Sequence, residues 1–237
     1  MTEKTAATPA GSAGTDNAIH TRALAYRWPG MDTAMVFPDI QLARGEHLFL
    51  HGPSGTGKST LLGLLSGLLV PERGTVQLLG ETVSDWPNGA RDRFRADHLG
   101  IIFQQFNLVP YLTASGNAEL PCRLSSSRHK RAGPGVSTVA RSLLAQLGLD
   151  DDTAHRKVTG LSIGQQQRVA AARALIGAPE IILADEPTSA LDTDNRDRFL
   201  ELLLTMAAEQ GTSVVFVSHD QALARHFHDH IALEGRS

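Results

Sequence analysis

Gly52-Pro53-Ser54-Gly55-Thr56-Gly57-Lys58-Ser59 is the stretch whose reading decides the fold. It follows the apolar run Glu46-His47-Leu48-Phe49-Leu50, which reads as a buried strand. Ser59-Thr60-Leu61-Leu62-Gly63-Leu64-Leu65 comes next and reads as the opening of a helix. Strand, loop and helix in that order are the setting that the G-x-x-x-x-G-K-[ST] spacing requires. The glycines let the backbone curl until successive N–H groups point inward at a phosphate. The helix start adds the positive end of its dipole. Lys58 can then reach the β- and γ-phosphates of a nucleotide, and the Ser59 hydroxyl can hold Mg2+. The competing reading is a Gly-rich loop that only precedes a helix, and the strand–loop–helix context argues against it.

The rest of the chain bounds what surrounds this loop. Its 237 residues suffice for one sizeable domain, or for one domain carrying an inserted subdomain. A membrane-spanning helix needs about 18 consecutive apolar residues. The nearest run, Leu61 to Val70, is shorter and is interrupted by Gly63, Ser66 and Gly67. The chain is therefore not expected to enter the bilayer itself, which leaves docking onto a membrane partner open. One cysteine, Cys122, excludes an intramolecular disulfide, suits a reducing cytosol and reads as a small packing residue. A formal charge of −3 gives no global pull toward nucleic acid. The local cluster Arg123, Arg128, His129, Lys130 and Arg131 reads as a solvated loop. Met1 to Asp16 is rich in Thr, Ala, Gly, Ser and Pro and reads as a disordered leader, with the folded domain running from about Ala18 to Gly235. It lacks the basic start and apolar core of a signal peptide.

Strand patterns occur at Ile19–Trp28, Gly45–Leu50, Thr75–Leu79, Leu99–Phe103, Glu180–Ala184, Ser213–Val217 and Ile231–Leu233. Helical patterns occur at Lys58–Leu68, Ser162–Ile176, Asp192–Glu209 and Gln221–Phe227. Between about residues 106 and 160 there is almost no strand signal. Helices are expected there near Thr113–Leu120 and Val136–Leu147, joined by a polar loop from Ser125 to Gly135. This is the candidate helical insertion. The alternation on either side of it predicts an α/β domain with a largely parallel sheet.

A second group of acids stands at the end of Ile181-Ile182-Leu183-Ala184-Asp185-Glu186-Pro187. Ligands of open α/β sheets sit beyond the carboxyl ends of the strands, the edge where the phosphate loop emerges. Adjacent side chains on extended backbone diverge, so the two carboxylates can serve different ends, one toward a metal and the other toward the γ-phosphate. Further along, Leu161-Ser162-Ile163-Gly164-Gln165 places Ser162 at a helix N-cap with Gln165 at capping-box spacing. A capped start with Gly164 near its tip is equally an anion site, and local reasoning does not separate the two roles.

With these motifs assembled, the chain resembles the nucleotide-binding subunits of ABC transporters, and Leu161–Gln165 is similar to their LSGGQ signature. Phe103-Gln104-Gln105 looks like the family's Q-loop, Ser189-Ala190-Leu191-Asp192 its D-loop, and Ser218-His219-Asp220 its switch histidine. Trp28, before Pro29-Gly30, sits where the family places an aromatic ring on adenine, with Tyr26 as the fallback. The resemblance implies a P-loop NTPase fold with a largely parallel central sheet, an N-terminal antiparallel β portion and an inserted helical subdomain. It implies ATP as substrate and Mg2+ as cofactor. Gly52, Pro53, Ser54, Gly55, Thr56, Gly57, Lys58, Ser59 and Thr60 would bind phosphate. Ser59, Asp185 and Gln104 would attend the metal, Glu186 would be the base, and His219 would hold the γ-phosphate and position the water. A homodimer assembled head to tail is implied, in which Ser162, Gly164 and Gln165 act on the partner's nucleotide and Asp192 crosses the interface. A separate integral membrane permease is implied as partner, no nucleic acid is, and the location implied is peripheral, at the cytoplasmic face of the inner membrane.

Ile163 departs from the signature, which has glycine there. A β-branched residue resists positive φ but costs little within a first helical turn, so hydrolysis is expected to survive. The run Phe103–Pro110 with Asn117-Ala118-Glu119-Leu120-Pro121 is similar to the lipoprotein-release and macrolide-efflux type ATPases. This subgroup pairs with four-helix permeases and implies export or force transmission. His226, His228 and His230 have a His-x-His-x-His spacing, but a helix over Gln221–Phe227 would break their common face, so metal binding is not expected. Two rival functions stand beside this reading. A soluble ABC ATPase acting on DNA or ribosomes would carry heptads or a second phosphate loop, and neither occurs. A binding module without turnover is opposed by Glu186 and His219.

Overall fold

The computed structural model describes residues 17–189 and 191–234. The leader therefore lies outside the described residues, apart from Asn17, which already opens the first strand. Two sheets form. In the first, β1 (Asn17–Tyr26) pairs antiparallel with β2 (Met35–Val36), β3 (Gln41–Ala43) and β5 (Arg73–Leu78), and β6 (Glu81–Thr82) adds to β5. In the second, β4 (His47–His51) lies between β10 (Asp229–Ala232) and β9 (Ser213–Ser218). Beyond β9 come β8 (Ile181–Asp185) and β7 (Leu99–Ile102), and every pairing is parallel.

The inner parallel strands β4, β8 and β9 have apolar, buried middles because both of their faces are covered, whereas the edge strand β10 (Asp-His-Ile-Ala) is largely exposed. Successive residues alternate between two cores. Phe49, Ile182, Ala184, Val214 and Phe216 face one core, while Leu48, Leu50, Ile181, Leu183, Val215 and Val217 face the other. The second core is closed by α1 (Lys58–Leu65) and the antiparallel sheet. The first is closed by α3 (Ala114–Leu124), α5 (Val136–Gln146), α6 (Asp151–His155), α7 (Ile163–Leu175) and α8 (Thr193–Glu209). Cys122 is buried in it, and burial pushes its thiol pKa up, as suits a packing residue.

Several boundaries differ from the sequence reading. The first helix stops at Leu65 rather than Leu68, because Gly67 turns left-handed (φ 67°) and its N–H returns to the Leu64 carbonyl at 3.0 Å. Helix α2 (Asn88–His98) had no apolar stripe to betray it; Arg91 is its one residue that is buried. Gln221–His226 is a 3-10 helix. The polar loop expected from Ser125 to Gly135 is instead mostly helix, α4 (Ser126–Ala132), capped by the Ser125 hydroxyl, which accepts from the Arg128 N–H at 3.0 Å.

The solvated reading of the basic cluster fails at Arg128, which is 2% exposed. Its guanidinium donates to the carbonyls of Leu99 (3.1 Å), Ala174 (2.6 Å) and Ile176 (2.9 Å). Two of those carbonyls belong to the last turn of α7 and its C-cap, where a cation also meets the negative end of the helix dipole. Burial pushes this guanidinium down to about 10, so it stays charged at neutral pH. Gly177 (φ 69°) passes beneath, where a Cβ would come within 2.7 Å of the Arg128 carbonyl oxygen.

Removing this fork takes a charged donor from three interior carbonyls, and each one left without a partner costs about 1–3 kcal/mol. Arg128→Ala is expected to lose at least about 3 kcal/mol of unfolding free energy, read from urea midpoints. Arg128→Lys should recover only part, since an ammonium lacks the planar fork. A loss below about 1 kcal/mol in the alanine variant would contradict this account.

Candidate functional site

Because β4, β7, β8 and β9 run parallel, their carboxyl ends deliver four loops to one edge. After β4 the chain passes through 52–57, and Gly57 (φ 94°) is the left-handed N-cap of α1. A side chain there would be strained at that φ and would push aside the flexible end of Met35, whose Cε lies 2.6 Å from where a Cβ would stand. Lys58 is 6% exposed and turns back over its own loop, donating to the carbonyls of Gly52 (2.8 Å) and Pro53 (3.0 Å). The Thr56 hydroxyl donates to the Pro53 carbonyl at 3.0 Å.

The two acids that end β8 diverge for a reason the strand pattern did not contain. Glu186 is not extended. It sits at φ 44°, an uncommon conformation for a side chain-bearing residue, with its N–H bonded to the Val217 carbonyl at 2.9 Å. Asp185 meets the Ser59 hydroxyl, whereas Glu186 lies 3.7 Å from the Lys58 ammonium and 3.2 Å from His219 Nδ1. Burial, then the neighbouring Glu186 charge, raises the Asp185 pKa above the usual carboxylate range against the opposing pull of Ser59 and Lys58. A hydroxyl beside a carboxylate is an all-oxygen donor pair, which fits a hard cation such as Mg2+.

A cavity of about 450 Å3 opens over the loop. Trp28, Ser54, Gly55, Gly57, Lys58, Ser59, Thr60, Gln104 and Glu186 line it, together with Met31, Thr33 and Met35. Those last three were not singled out in the sequence; Pro29-Gly30 marks only that the chain turns there. Trp28, 44% exposed, faces the cavity, while Tyr26 packs behind it against the core.

Ser162, Gly164 and Gln165 stand elsewhere, lining a separate cavity of about 150 Å3 with Arg168, Leu191 and Asn195. The capping box is present: the Ser162 N–H donates to Gln165 Oε1 at 3.0 Å, and the Gln165 N–H to Ser162 Oγ at 3.3 Å. Ile163 is the first residue of α7, has negative φ and is 58% exposed, so its branched side chain is unstrained. Asp192 caps α8, accepting from the Asn195 N–H at 3.0 Å, and Ala190 lies outside the described residues. His226 turns to Asp197 at 3.3 Å while His230 meets the His51 ring at 6.3 Å, so the three histidines do not converge.

Two supports of this edge were not legible in the motifs. Arg173 of α7 donates to the carbonyls of Phe106 (2.5 Å) and Asn107 (2.7 Å), both at positive φ just beyond Gln104-Gln105. Buried Asn117 bonds both the N–H (2.7 Å) and the carbonyl (3.1 Å) of Val109.

The family model described as ABC transporter matches residues 38–189. The chain is 43% identical over 188 residues to the ABC transporter ATP-binding protein YbbA of Escherichia coli (strain K12), covering 78% of this chain and 79% of that one. It is 41% identical to the lipoprotein-releasing system ATP-binding protein LolD 1 of Caulobacter vibrioides, covering 78% of each. Among solved structures it is similar to MJ0796, a bacterial ABC transporter cassette, seen as a dimer. The TM-score is 0.80 at 35% identity, over 91% of this chain and 94% of that one. A dimeric post-hydrolysis state of MJ0796 bound to ADP and Pi matches at TM-score 0.79 and 34% identity, over 92% and 97%.

A carboxyl whose folded pKa is raised weakens folding at pH values above it, and the penalty vanishes below the unfolded value, where both states are protonated. Asp185→Asn is therefore expected to raise the unfolding temperature of the nucleotide-free, Mg2+-free protein at neutral pH. Its advantage should shrink as pH falls toward 4. Scanning calorimetry across that range decides it, and a variant less stable than wild type at pH 7 would refute the reading.

Proposed function

The chain belongs to the ABC transporter family as an ATP-binding subunit, and from that premise we propose that it hydrolyses ATP to drive a separate membrane permease of the lipoprotein-release or efflux type. One observation carries the proposal. Lys58, Ser59, Asp185, Glu186 and His219 converge at one strand edge, while the signature residues Ser162 and Gly164 stand apart in another cavity. A site split in this way is completed by a second copy, arranged head to tail.

In that arrangement the phosphate chain of ATP lies in the 52–60 loop, and Trp28 stacks on adenine. Lys58 releases the carbonyls of Gly52 and Pro53 to meet the β- and γ-phosphates. Ser59 and Asp185 would hold Mg2+, with Gln104 lining the same cavity as Ser59, and the ion would spread the phosphate charge when bound. Glu186 takes the proton from the attacking water as the water oxygen bonds to the γ-phosphorus and ADP departs, giving ADP and inorganic phosphate. His219, 3.2 Å from Glu186, keeps that carboxylate aimed and contacts the γ-phosphate. The left-handed backbone at Glu186 is in keeping with strain held where chemistry is done. Ser162, Gly164 and Gln165, at the N-terminus of α7, face the partner's γ-phosphate with N–H groups and the helix dipole. Asp192 lies at the same interface.

No helix among the described residues is long and apolar enough to cross a membrane. Attachment is taken to be peripheral, through the permease at the cytoplasmic face of the inner membrane, on the strength of the family membership.

Glu186→Gln is expected to lower turnover by about 10²–10⁴-fold, the range of a general base, while ATP still binds. With ATP it should elute as a dimer and, from solubilised membranes, bring down a four-helix protein with a large external domain. Recovery of ribosomes or DNA would overturn the transporter type. Wild-type turnover no higher than that of Lys58→Ala would refute the expectation that hydrolysis survives Ile163.

A further inference from the structure

The indole of Trp28 is held from two sides. Its ring meets that of Tyr26 edge to face, centroids 5.2 Å apart and planes at 87°. Its Nε1–H donates to the Thr60 hydroxyl at 3.3 Å. Tyr26 ends β1 and is packed against the core under the antiparallel sheet, so the contact ties an exposed ring to a fixed one. A free surface indole surrenders rotamer freedom when a base stacks on it; one already fixed surrenders less.

We propose that Tyr26 is a positioning residue for the nucleotide base. It sets the plane of Trp28 and, through the Trp28–Thr60 hydrogen bond, holds the base platform at a fixed reach from the phosphate loop. The proposal rests on the stacking role given to Trp28 above. Thr60 is the link because a hydroxyl has two lone pairs and one proton. Accepting from the indole N–H leaves its own O–H free for a phosphate oxygen, as it is whether or not the indole is in place. Core, Tyr26, Trp28, Thr60 and phosphate thus form one chain of contacts. Tyr26 contributes through its ring and not its hydroxyl, since the contact with Trp28 is between rings.

The test uses the full chain carrying Trp86→Phe, which leaves Trp28 as the sole tryptophan of the two. Affinities for ADP and for tripolyphosphate, which has no base, are measured with Mg2+ by calorimetry, and Trp28 anisotropy is read without ligand. Tyr26→Leu is expected to weaken ADP about three- to tenfold, the worth of an aromatic pair. Tripolyphosphate affinity should be unchanged, Trp28 anisotropy should fall, and Tyr26→Phe should behave as wild type. Equal losses for ADP and tripolyphosphate would make Tyr26 merely structural and overturn the proposal. So would unchanged ADP affinity in Tyr26→Leu when Trp28→Ala has lost it. If Trp28→Ala itself binds ADP as wild type does, the stacking role fails and the positioning role falls with it. The Trp28→Ala result therefore tells the two failures apart.

Discussion

Parallel strands can be joined only by carrying the chain back across the sheet, so all of them finish on the same edge. That constraint organises everything else in this protein. It brings Lys58, Gln104, Asp185 and His219, drawn from four strand–loop junctions spread along the chain, into one neighbourhood. It also explains why the strands must be buried on both faces, and hence why two separate cores exist. The antiparallel sheet and the helical layer are the covers that the central sheet requires, and each adds its own piece to the site. The first supplies Trp28, the second Ser162 and Gly164.

The site is bought with stability. Asp185 is kept where burial opposes its charge, Glu186 where its backbone is strained, and Lys58 where it has little water. Each would be easier to satisfy on an open surface. Their mutual arrangement is tolerable because ammonium, hydroxyl and carboxylates partly offset one another, and it leaves a set of groups poised for a polyanion.

Much of this was legible in the sequence because it is local. The 52–59 loop carries its glycines, lysine and serine within one turn of chain. The acids end an unbroken apolar strand, and Ser162 and Gln165 announce a cap by spacing alone. What was illegible depends on atoms far apart in sequence. Arg128 looks like any surface arginine until the carbonyls of Ala174 and Ile176, 46 and 48 residues away, are folded against it. Met31, Thr33 and Met35 follow only a turn signal, and no periodicity marks them as cavity walls. The divergence of Asp185 and Glu186 was expected from extended geometry, whereas it arises from a left-handed residue, which no pattern of residue types encodes.

Helix α7 is fastened near the end remote from Ser162, by Arg173 to the carbonyls of Phe106 and Asn107 and by Arg128 at its last carbonyls. Between its ends the helix is also held by the first core, with Val169, Ala170, Ala171 and Ala172 fully buried. Its 13 residues span about 20 Å at the usual helical rise. At that length a rigid rotation of the whole helix by about 6° corresponds to roughly 2 Å at its end, the scale of a hydrogen bond. Two arginines that do not line the nucleotide cavity thus tie the helix bearing Ser162 and Gly164 to the segment just beyond Gln104 and to Leu99, the first residue of the strand before it.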